Sequence, residues 1–471
     1  MKRSLFLAAF LGLSALSLGL QKNDDVEYRD FTGPDGKAIP AVVVDKSDEG
    51  VVLLLRNGKR TVVPLDRLSD DDRTYVDGWT KEKAVFLQKC RTLTIRELLE
   101  LRGYESFEFT FKNNSIFING KLNGKPGGFL IDTGAGTSLL HVPFAEAAKC
   151  EIGPMDQVIH GVAGTAPAGY CDVPTISFGE SVFKGRKVLA TDLANGLPEG
   201  AKLNKDAILG ADIMSQLDAV ISYPERRIFL RPDKSDEVAV EGGADAEEGD
   251  AEMSYRMFKT KDRKVYRGEI TSKTPTVVTL KLVNGKELKL PVSRLLPADA
   301  EYVGNWSEAG AFFLQHCQSL TIQELLELRR YQSFEYERRG NHIFVDGTLN
   351  DNDVTYMIDT GADGTCLHLP AAKQYGCQVG DLDTWVYGIG GKAKAAVTTI
   401  PKLTMGDTVL TNRKILSTDL NRGQEGDMGY VGLFGADFMR ELKAVITYRE
   451  SRIFLLQEKL PPMKPAPEEK K

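Results

Sequence analysis

The feature that most constrains this chain is an internal repeat that covers most of its 471 residues. The segment FLQKCRTLTIRELLELRGYESFEF starts at Phe86 and returns as FLQHCQSLTIQELLELRRYQSFEY at Phe313, an offset of 227 residues (313 − 86). The same offset recurs along the chain and falls to 225 only near Gly210 and Gly435 (435 − 210). A repeat of this length means that one structural unit is built twice.

The first 19 residues have the layout of a secretory signal peptide. Lys2 and Arg3 precede an apolar run that ends at Leu20, and the small residues Ser17 and Gly19 stand at the expected cleavage site. An uncleaved membrane anchor is the alternative, because the run is near the lower limit for spanning a bilayer. No later stretch of the sequence is long and apolar enough to cross a membrane. The sequence therefore predicts an exported protein, periplasmic or secreted, with no transmembrane segment after signal removal (1–19).

An acidic segment, residues 233–252, separates the two copies. It holds nine acidic residues and one lysine, a charge of −8, so the net charge of −6 for the whole chain becomes +2 for the remainder. The segment has no aromatic residue and is predicted to be a disordered linker. The tail, residues 458–471, is predicted to be disordered as well. With no basic field in the rest of the chain, binding to nucleic acid is not expected.

Each copy begins with short alternating strands, at residues 24–80 and 253–307. Asn57-Gly58 and Asn284-Gly285 are hairpin signals, and five or so strands ending in a helical turn predict a small barrel. In the first copy the aromatic start, the NGK hairpin, VPLDRLS and the closing DRTYV resemble the SH3-like Sla homology domain of endocytic adaptor proteins. The resemblance implies a peptide-binding or spacer module. A barrel that only packs on its neighbour is the alternative.

A helical connector follows each small domain, at residues 81–106 and 308–333. Its helix starts at a capping box, Thr-x-x-Glu, which begins at Thr94 in the first copy and at Thr321 in the second. The apolar face of this helix is explained by core packing.

The rest of each copy, residues 107–232 and 334–457, returns to strands and carries an Asp-Thr-Gly triplet. Asp132 follows the apolar strand FLI, and Asp359 follows YMI. A carboxylate at the end of a buried strand is costly unless something uses or satisfies it. One Asp-Thr-Gly alone is weak evidence for a site, because Asp and Gly are common turn residues.

Two further signals follow each triplet in the same order. The first is a glycine-rich hairpin, HGVAGTAPAGY in copy one and YGIGGKAKAAV in copy two, which suits a mobile flap over a cleft. The second is a pair of apolar residues before a glycine, in DAILGADIM and VGLFGADFM. The glycines assigned to the flaps are Gly161, Gly164, Gly388, Gly390 and Gly391.

These ordered elements resemble a retropepsin-like aspartic protease: Asp-Thr-Gly-Ala, a Thr or Ser shortly after, a glycine-rich flap and a late apolar-apolar-Gly. Retroviral proteases use this lobe as a dimer, and pepsin-like enzymes carry it twice. The resemblance implies a mainly β fold of two tandem repeats. Each repeat would hold a small SH3-like barrel, a short helix and a retropepsin-like closed β-barrel lobe.

By position in the motif, the resemblance assigns Asp132 and Asp359 as the catalytic pair. Two carboxylates about 3 Å apart share one proton, so one apparent pKa is expected to rise and the other to fall. The threonines of the triplets would brace the two loops, the glycines would allow close approach, and the later hydroxyls would bond the catalytic carboxylates. These supporting residues are Thr133, Gly134, Ser138, Thr360, Gly361 and Thr365.

The two halves of the site differ in sequence. Copy one has Gly136 where copy two has Asp363, so the cleft is expected to be asymmetric. Tyr387 precedes one flap tip and its match in the other copy is His160, so neither flap has a certain counterpart of the flap tyrosine of pepsin-like enzymes.

No metal or other cofactor is expected. The sequence has no His-Glu-x-x-His, Cys-x-x-Cys or Gly-x-Gly-x-x-Gly motif. Four of its six cysteines occupy matching positions in the two copies, which leaves two alternatives. Either each unit holds a disulfide, Cys90–Cys150 and Cys317–Cys377, or these are free buried thiols.

The sequence favours an exported, metal-independent aspartic-type endopeptidase that acts on a peptide or protein substrate. The alternative is a non-catalytic peptide- or protein-binding scaffold built from the same modules. The linker of about twenty residues can span roughly 25 Å as a coil. Pairing of the two lobes within one chain, as a monomeric pseudo-dimer, is therefore favoured, and a homodimer is the alternative.

Overall fold

A computed structural model describes most of the chain between Arg29 and Leu456. The described residues are 29–33, 37–47, 50–55, 57–81, 84, 93–179, 181–195, 197, 203–231, 256–307, 320–327, 329, 331–406, 408–421 and 428–456. The predicted signal peptide, acidic linker and C-terminal tail lie outside them. The chain divides into two compact units between Thr92 and Leu93.

The N-terminal unit is a four-stranded antiparallel sheet followed by a helical turn and a helix. Its elements are β1 (Arg29–Thr32), β2 (Ala38–Ser47), β3 (Gly50–Leu55), β4 (Arg60–Val63), a 3-10 turn (Leu65–Arg67) and α1 (Asp70–Asp77). Ser69 caps α1, because its hydroxyl accepts a hydrogen bond from the N–H of Asp72 at 3.2 Å. The described part of this unit has four strands where about five were expected, and the SH3-like assignment stays a prediction.

The first lobe begins with the connector helix and continues as strands. Its elements are α2 (Ile95–Leu101), β5 (Glu105–Glu108), β6 (Thr110–Lys112), β7 (Ser115–Leu122), β8 (Lys125–Ile131), β9 (Leu139–His141), α3 (Val142–Ala147), β10 (Glu151–Ile152), β11 (Gln157–Gly161), β12 (Gly164–Phe178), β13 (Ser181–Thr191), β14 (Ala207–Leu209), α4 (Ala211–Gln216), β15 (Val220–Ser222) and β16 (Arg227–Leu230). Thr94 and Glu97 form the predicted capping box at the start of α2. Nine strands form one sheet in the order β10-β12-β13-β9-β14-β8-β7-β6, with β11 on β12 and a further pairing of β12 with β7.

The second small sheet follows in the same compact unit as the lobes. Its elements are β17 (Arg256–Lys259), β18 (Val265–Lys273), β19 (Val277–Leu282), β20 (Glu287–Pro291), a 3-10 turn (Val292–Arg294) and α5 (Pro297–Asn305). It is attached to the first lobe by two ion pairs, because Arg256 bonds Glu100 at 3.2 Å and Lys259 bonds Glu105 at 2.5 Å.

The second lobe repeats the topology of the first. Its elements are α6 (Ile322–Glu327), β21 (Tyr331–Glu335), β22 (Glu337–Arg339), β23 (His342–Leu349), β24 (Asn352–Asp359), β25 (Cys366–His368), α7 (Leu369–Gln374), β26 (Gln378–Val379), β27 (Thr384–Gly388), β28 (Gly391–Met405), β29 (Thr408–Thr418), β30 (Gly432–Gly435), α8 (Ala436–Glu441), β31 (Val445–Thr447) and β32 (Arg452–Leu456). The sheet order is β22-β23-β24-β30-β25-β29-β28-β26, with β27 on β28 and a further pairing of β23 with β28. The prediction of a mainly β fold with two similar tandem lobes is confirmed.

A six-stranded sheet joins the two lobes, in the order β21-β32-β31-β15-β16-β5. At its centre β15 pairs antiparallel with β31, and Ile221 lies opposite Ile446. Both isoleucines are fully buried, and they belong to one apolar core that contains residues of both lobes. Burial of apolar surface is the main favourable term in folding, so this shared core fixes the lobes together within one chain.

Among the described residues, no helix combines the length and the apolar character needed to cross a bilayer.

Candidate active site

Asp132 and Asp359 lie at the ends of two equivalent strands, β8 and β24. Each of these strands runs parallel to the strand that leads into the late glycine, with Leu209 opposite Ile131 in the first lobe and Gly435 opposite Asp359 in the second. Parallel strands buried on both faces need continuous apolar runs. The two triplets therefore begin where a buried strand meets the interface between the lobes.

The loop after each strand folds back onto its own carboxylate. Oδ1 of Asp132 accepts hydrogen bonds from the N–H groups of Gly134 at 2.9 Å and Ala135 at 3.0 Å. Asp359 accepts the two equivalent bonds in its own loop, at 3.0 and 2.9 Å. The two carboxyl groups are also hydrogen-bonded to each other. The structure thus brings together the two aspartates that the sequence assigned as a pair.

Burial sets the protonation of the pair. Burial raises the pKa of Asp132, while the nearby Lys205 ammonium and the hydrogen bond with Asp359 oppose this rise. Burial also raises the pKa of Asp359 well above its usual value, and the negative charge of Asp132 raises it further. The sequence-based expectation considered like-charge coupling alone, and burial adds an upward shift to the pKa of both groups.

Two threonines lock the aspartate loops to each other. Oγ1 of Thr133 donates to the carbonyl of Ile358 at 2.8 Å and accepts from the N–H of Thr360 at 3.0 Å. Oγ1 of Thr360 donates to the carbonyl of Ile131 at 3.0 Å and accepts from the N–H of Thr133 at 3.1 Å. Both threonines are fully buried. Each lobe therefore satisfies the backbone of the other, as expected for residues that brace the site.

Thr133→Val keeps the shape of this side chain but removes both hydrogen bonds of its hydroxyl. The N–H of Thr360 and the carbonyl of Ile358 then stay buried without these partners, which costs about 2–5 kcal/mol of unfolding free energy. Urea denaturation of the variant measures this loss. Thr133→Ser retains the hydroxyl and is the matched control. Equal stability of the Val and Ser variants would contradict the structural role of the hydroxyl.

The glycines of the triplets allow the carboxyl groups to approach. A Cβ atom on Gly134 would lie 2.4 Å from Cγ of Asp359, and one on Gly361 would lie 2.2 Å from Cγ of Asp132. Both distances are far shorter than a van der Waals contact. With any larger residue at either position, the carboxyl groups of Asp132 and Asp359 could not lie as close together as they do in the structure.

Ser138 and Thr365 were expected to hydrogen-bond the aspartate pair, but their hydroxyls donate to other residues. The hydroxyl of Ser138 donates to Asp212 at 2.6 Å, and that of Thr365 donates to Asp437 at 2.7 Å. A hydroxyl has one proton to donate, so neither is left to donate to Asp132 or Asp359. The expected role is corrected: these hydroxyls support the site one step away from the aspartates.

Asp212 and Asp437 are supporting residues that the sequence interpretation missed. Asp212 accepts from the N–H of Ser138 at 3.0 Å and from its own helix at the N–H of Ile213 at 2.8 Å. In turn the hydroxyl of Ser138 accepts from the N–H of Gly210 at 2.9 Å. The same arrangement is present in the second lobe, with Asp437 in the place of Asp212. The repeated Gly-Ala-Asp in both copies was the available signal.

Gly210 and Gly435, the glycines that follow the apolar pair late in each copy, are needed for a separate steric reason. A Cβ atom on Gly210 would lie 2.7 Å from the backbone of Thr137, and one on Gly435 would lie 2.5 Å from the backbone of Gly364. These glycines therefore let the second buried strand of each lobe pass directly beneath the aspartate loop.

The two predicted flaps are hairpins whose tips meet each other. Gly161 pairs with Gly164 across the first tip, and Gly388 pairs with Gly391 across the second. A Cβ atom on Gly161 would lie 2.3 Å from the carbonyl oxygen of Ile389, one on Gly164 would lie as close to that of Gly390, and one on Gly388 would lie 2.4 Å from Val162. The predicted flap glycines are thus the residues that let the two hairpins touch.

The predicted asymmetry is visible beside the aspartate pair. Asp363 accepts from the side chain of Asn113 at 3.1 Å and from the N–H of Ser115 at 3.2 Å. On the other side the position of Asp363 is taken by Gly136, whose carbonyl accepts from Asn341 at 2.7 Å.

His342 occupies the position that Ser115 has in the first copy. Its ring hydrogen-bonds the backbone of Gly134, and its Nδ1 is buried with no hydrogen-bond partner among the described residues. Burial lowers the pKa of His342, and the charge of Asp132 opposes this shift. His342 therefore adds to the asymmetry of the site, because the matching Ser115 does not titrate.

A cavity of about 630 Å³ opens beside the pair, between the first lobe and the second flap. Its lining includes Lys205 and Phe117 from the first lobe, and Tyr387, Lys414 and Leu416 from the second. A space of this size with mostly apolar walls and a few polar groups is typical of a ligand site.

Cys150 and Cys377 carry free thiols in the structure. Their predicted partners Cys90 and Cys317 lie outside the described residues. In the described part of the chain, no three His, Cys, Asp or Glu side chains are grouped so that they could hold a metal ion.

The aspartyl protease family model matches twice, at residues 118–213 and 345–438, and each match contains one Asp-Thr-Gly triplet. No curated protein matches the chain. The two family matches support a protease-type function.

Three similar solved structures are proteases. A retropepsin-like aspartic protease from Rickettsia conorii is 20% identical with a TM-score of 0.22, and the match covers 26% of this chain and 98% of that one. An aspartic proteinase from Irpex lacteus is 11% identical with a TM-score of 0.36, covering 75% and 97%. The EIAV protease complexed with the inhibitor HBY-793 is 28% identical with a TM-score of 0.17, covering 21% and 86%.

Proposed function

We propose that this protein is an exported aspartic endopeptidase whose Asp132 and Asp359 hydrolyse peptide bonds through an activated water. The observation that carries the proposal is the hydrogen-bonded pair of buried carboxyl groups, held by loops that bond to each other through Thr133 and Thr360. Export rests on the first 19 residues of the sequence, and a periplasmic or secreted location follows from it.

The chemistry uses the single proton of the pair. The ionised carboxylate takes a proton from a bound water, whose oxygen attacks the carbonyl carbon of the peptide. The protonated carboxyl gives its proton to the carbonyl oxygen, and a tetrahedral diol forms. When the C–N bond breaks, the nitrogen takes the proton of the pair, and one hydroxyl of the diol gives its proton to a carboxylate as the C=O bond re-forms. A carboxylic acid and an amine leave, and the single-proton state returns. Acid and base thus change roles within each turnover.

The surrounding residues keep this pair in position and exclude water. The loop N–H groups hold each Oδ1, and the flap tips meet in front of the cleft, so the flaps have to part before a peptide enters. A buried site strengthens each electrostatic interaction at the reacting atoms. The SH3-like sheets would serve as peptide-binding or spacer modules, and one chain would supply a complete site.

Digestion of a peptide library with and without pepstatin tests this function. Cleavage that pepstatin blocks supports the proposal, and a chelator should have no effect because the chemistry requires no metal. Binding of peptides without any cleavage would favour the non-catalytic scaffold.

The activity should follow a bell-shaped pH profile with its maximum at acidic to mildly acidic pH. At low pH both carboxyl groups are protonated and no base remains, whereas at high pH both are ionised and no acid remains. Because the pKa of Asp359 is raised by burial and by the charge of Asp132, the single-proton state extends upward from the usual carboxyl range. Other charged or titratable groups that interact with the pair are Lys205, His342 and Tyr448 near Asp132, and Tyr223 and Cys366 near Asp359. Measurement of kcat/KM from about pH 3 to pH 9 covers both limbs, and a steady rise to pH 9 would contradict the mechanism.

A further inference from the structure

The cavity beside the aspartate pair is lined by two lysines, Lys205 and Lys414, and by two aspartates, Asp363 and Asp437. Lys205 is half-buried, lines the cavity and lies close enough to Asp132 to oppose the rise in the pKa of that carboxyl. Lys414 lines the same cavity from the second lobe and is exposed. Neither lysine has an ion-pair partner among the residues that the structure describes.

The carboxylates near these lysines are already engaged. Asp363 accepts from Asn113 and from the N–H of Ser115, and Asp437 accepts from Thr365. Asp206, next to Lys205 in the chain, accepts from the N–H of Gly128 at 2.8 Å. The cavity wall therefore holds the half-buried ammonium group of Lys205 with no carboxylate within ion-pair distance among the described residues.

The equivalent position on the other side of the pair carries no charge. Lys205 stands five residues before Gly210, and five residues before Gly435 the second copy has Tyr430. The ring of Tyr430 packs on Phe344 at 5.7 Å between centroids. At this position of the cleft, the first lobe thus has a cation and the second lobe has an uncharged ring.

The second flap adds charge and aromatic surface to the same half. Lys392 and Lys394 lie over the ring of Trp385, 4.4 and 4.3 Å from its centroid. Trp385 lines the cavity, and so does Tyr387, which is 45% exposed. A peptide that enters here meets lysines from both lobes.

We propose that the protein selects peptides with an acidic side chain within two residues of the scissile bond, and that Lys205 is the specificity-determining residue that pairs with it. This inference rests on the proposed function, since it concerns the substrate of the same site. The acid has to be close to the scissile bond because Lys205 itself lies beside Asp132. A charge-assisted hydrogen bond in such a setting changes affinity by about tenfold to a hundredfold.

A panel of otherwise identical peptides, with Glu, Gln or Lys at each of the two positions on either side of the scissile bond, tests this inference. For the wild type, we expect the best Glu peptide to have a kcat/KM about tenfold to a hundredfold above its Gln partner. Lys205→Gln should bring this ratio close to one, and Lys205→Glu should move the preference to the Lys peptide. Lys121→Gln, an exposed lysine at the opposite end of β7 from the cleft, should leave the ratio unchanged.

Other outcomes overturn the proposal. A wild-type ratio near one does so, and so does a ratio that Lys205→Gln leaves intact. If Lys205→Gln instead lowers kcat/KM equally for Glu and Gln peptides and shifts the pH profile, Lys205 acts only through the charge of the aspartate pair.

A binding measurement separates the failure of this inference from the failure of the proposed function. Fluorescently labelled versions of the same peptides are titrated with the Asp359→Asn variant, which retains Lys205. A second titration uses the double variant that also carries Lys205→Gln. Tighter binding of the Glu peptide that depends on Lys205 supports the inference even if the wild type cleaves none of the peptides. Equal binding of Glu and Gln peptides overturns it even if cleavage occurs.

Discussion

Asp132→Asn and Asp359→Asn are each expected to lower kcat/KM for peptide cleavage by at least about a thousandfold, within the range for removal of a general acid or base. An asparagine cannot hold the shared proton, so the pair can no longer supply base and acid in one turnover. Peptide cleavage by each purified variant gives the measurement. Asp172→Asn, on an exposed residue of β12, is the control and should retain full activity.

Mixing the two variants tests where the pair forms. The six-stranded sheet joins the lobes within one chain, so an equimolar mixture of Asp132→Asn and Asp359→Asn should stay inactive. Recovery of activity in the mixture would mean that lobes from different chains pair. Retention of about half the activity by each single variant would mean that like lobes pair between chains.

Stability measurements show whether lost activity reflects lost chemistry or lost folding. The pKa of Asp359 is raised in the folded protein. This group therefore destabilises the fold as the pH rises above the usual aspartate pKa of 3.8, and the full penalty is reached above its folded pKa. Removing the ionisable group removes that penalty. Asp359→Asn should therefore unfold at a temperature no lower than the wild type at neutral pH.

Gly361→Ala is expected to lower kcat/KM by about a hundredfold or more, because a displacement of about 1 Å at a reacting group has an effect of this size. The added methyl group would lie 2.2 Å from Cγ of Asp132, and the carboxyl group has to move away from its partner. Gly134→Ala meets Asp359 in the same way, at 2.4 Å. Steady-state kinetics with a cleaved peptide measure the loss.

The matched control for these variants is Gly128→Ala in β8. A Cβ atom there has no neighbour closer than 3.8 Å, so the activity should stay within a few-fold of the wild type. If Gly361→Ala is as active as Gly128→Ala, the carboxyl groups do not need the observed separation.

Local sequence patterns predicted the aspartate pair and the flaps because both depend on short motifs that the repeat presents twice. Asp132, Asp359 and the flap glycines lie in segments whose order and spacing can be recognised in the sequence alone. The mainly β character also follows from alternation and turn residues, which act over a few positions.

The parts that were missed depend on contacts between distant segments. Ser138 was expected to hydrogen-bond an aspartate of the pair. Its hydroxyl donates instead to Asp212, which lies more than seventy residues later in the chain. His342 reaches the first aspartate loop from the opposite lobe. The composition of the six-stranded sheet could not be predicted from the sequence either, because no local pattern specifies which strands pair across two lobes.

The joining of both lobes in one chain has a consequence for the evolution of the cleft. In a site made from two identical chains, every substitution appears on both sides of the reacting pair. Here a mutation changes one half and leaves its counterpart untouched, as Lys205 and Tyr430, or Gly136 and Asp363, illustrate. Selection can therefore adjust the part of the cleft that receives one side of a peptide without altering the part that receives the other.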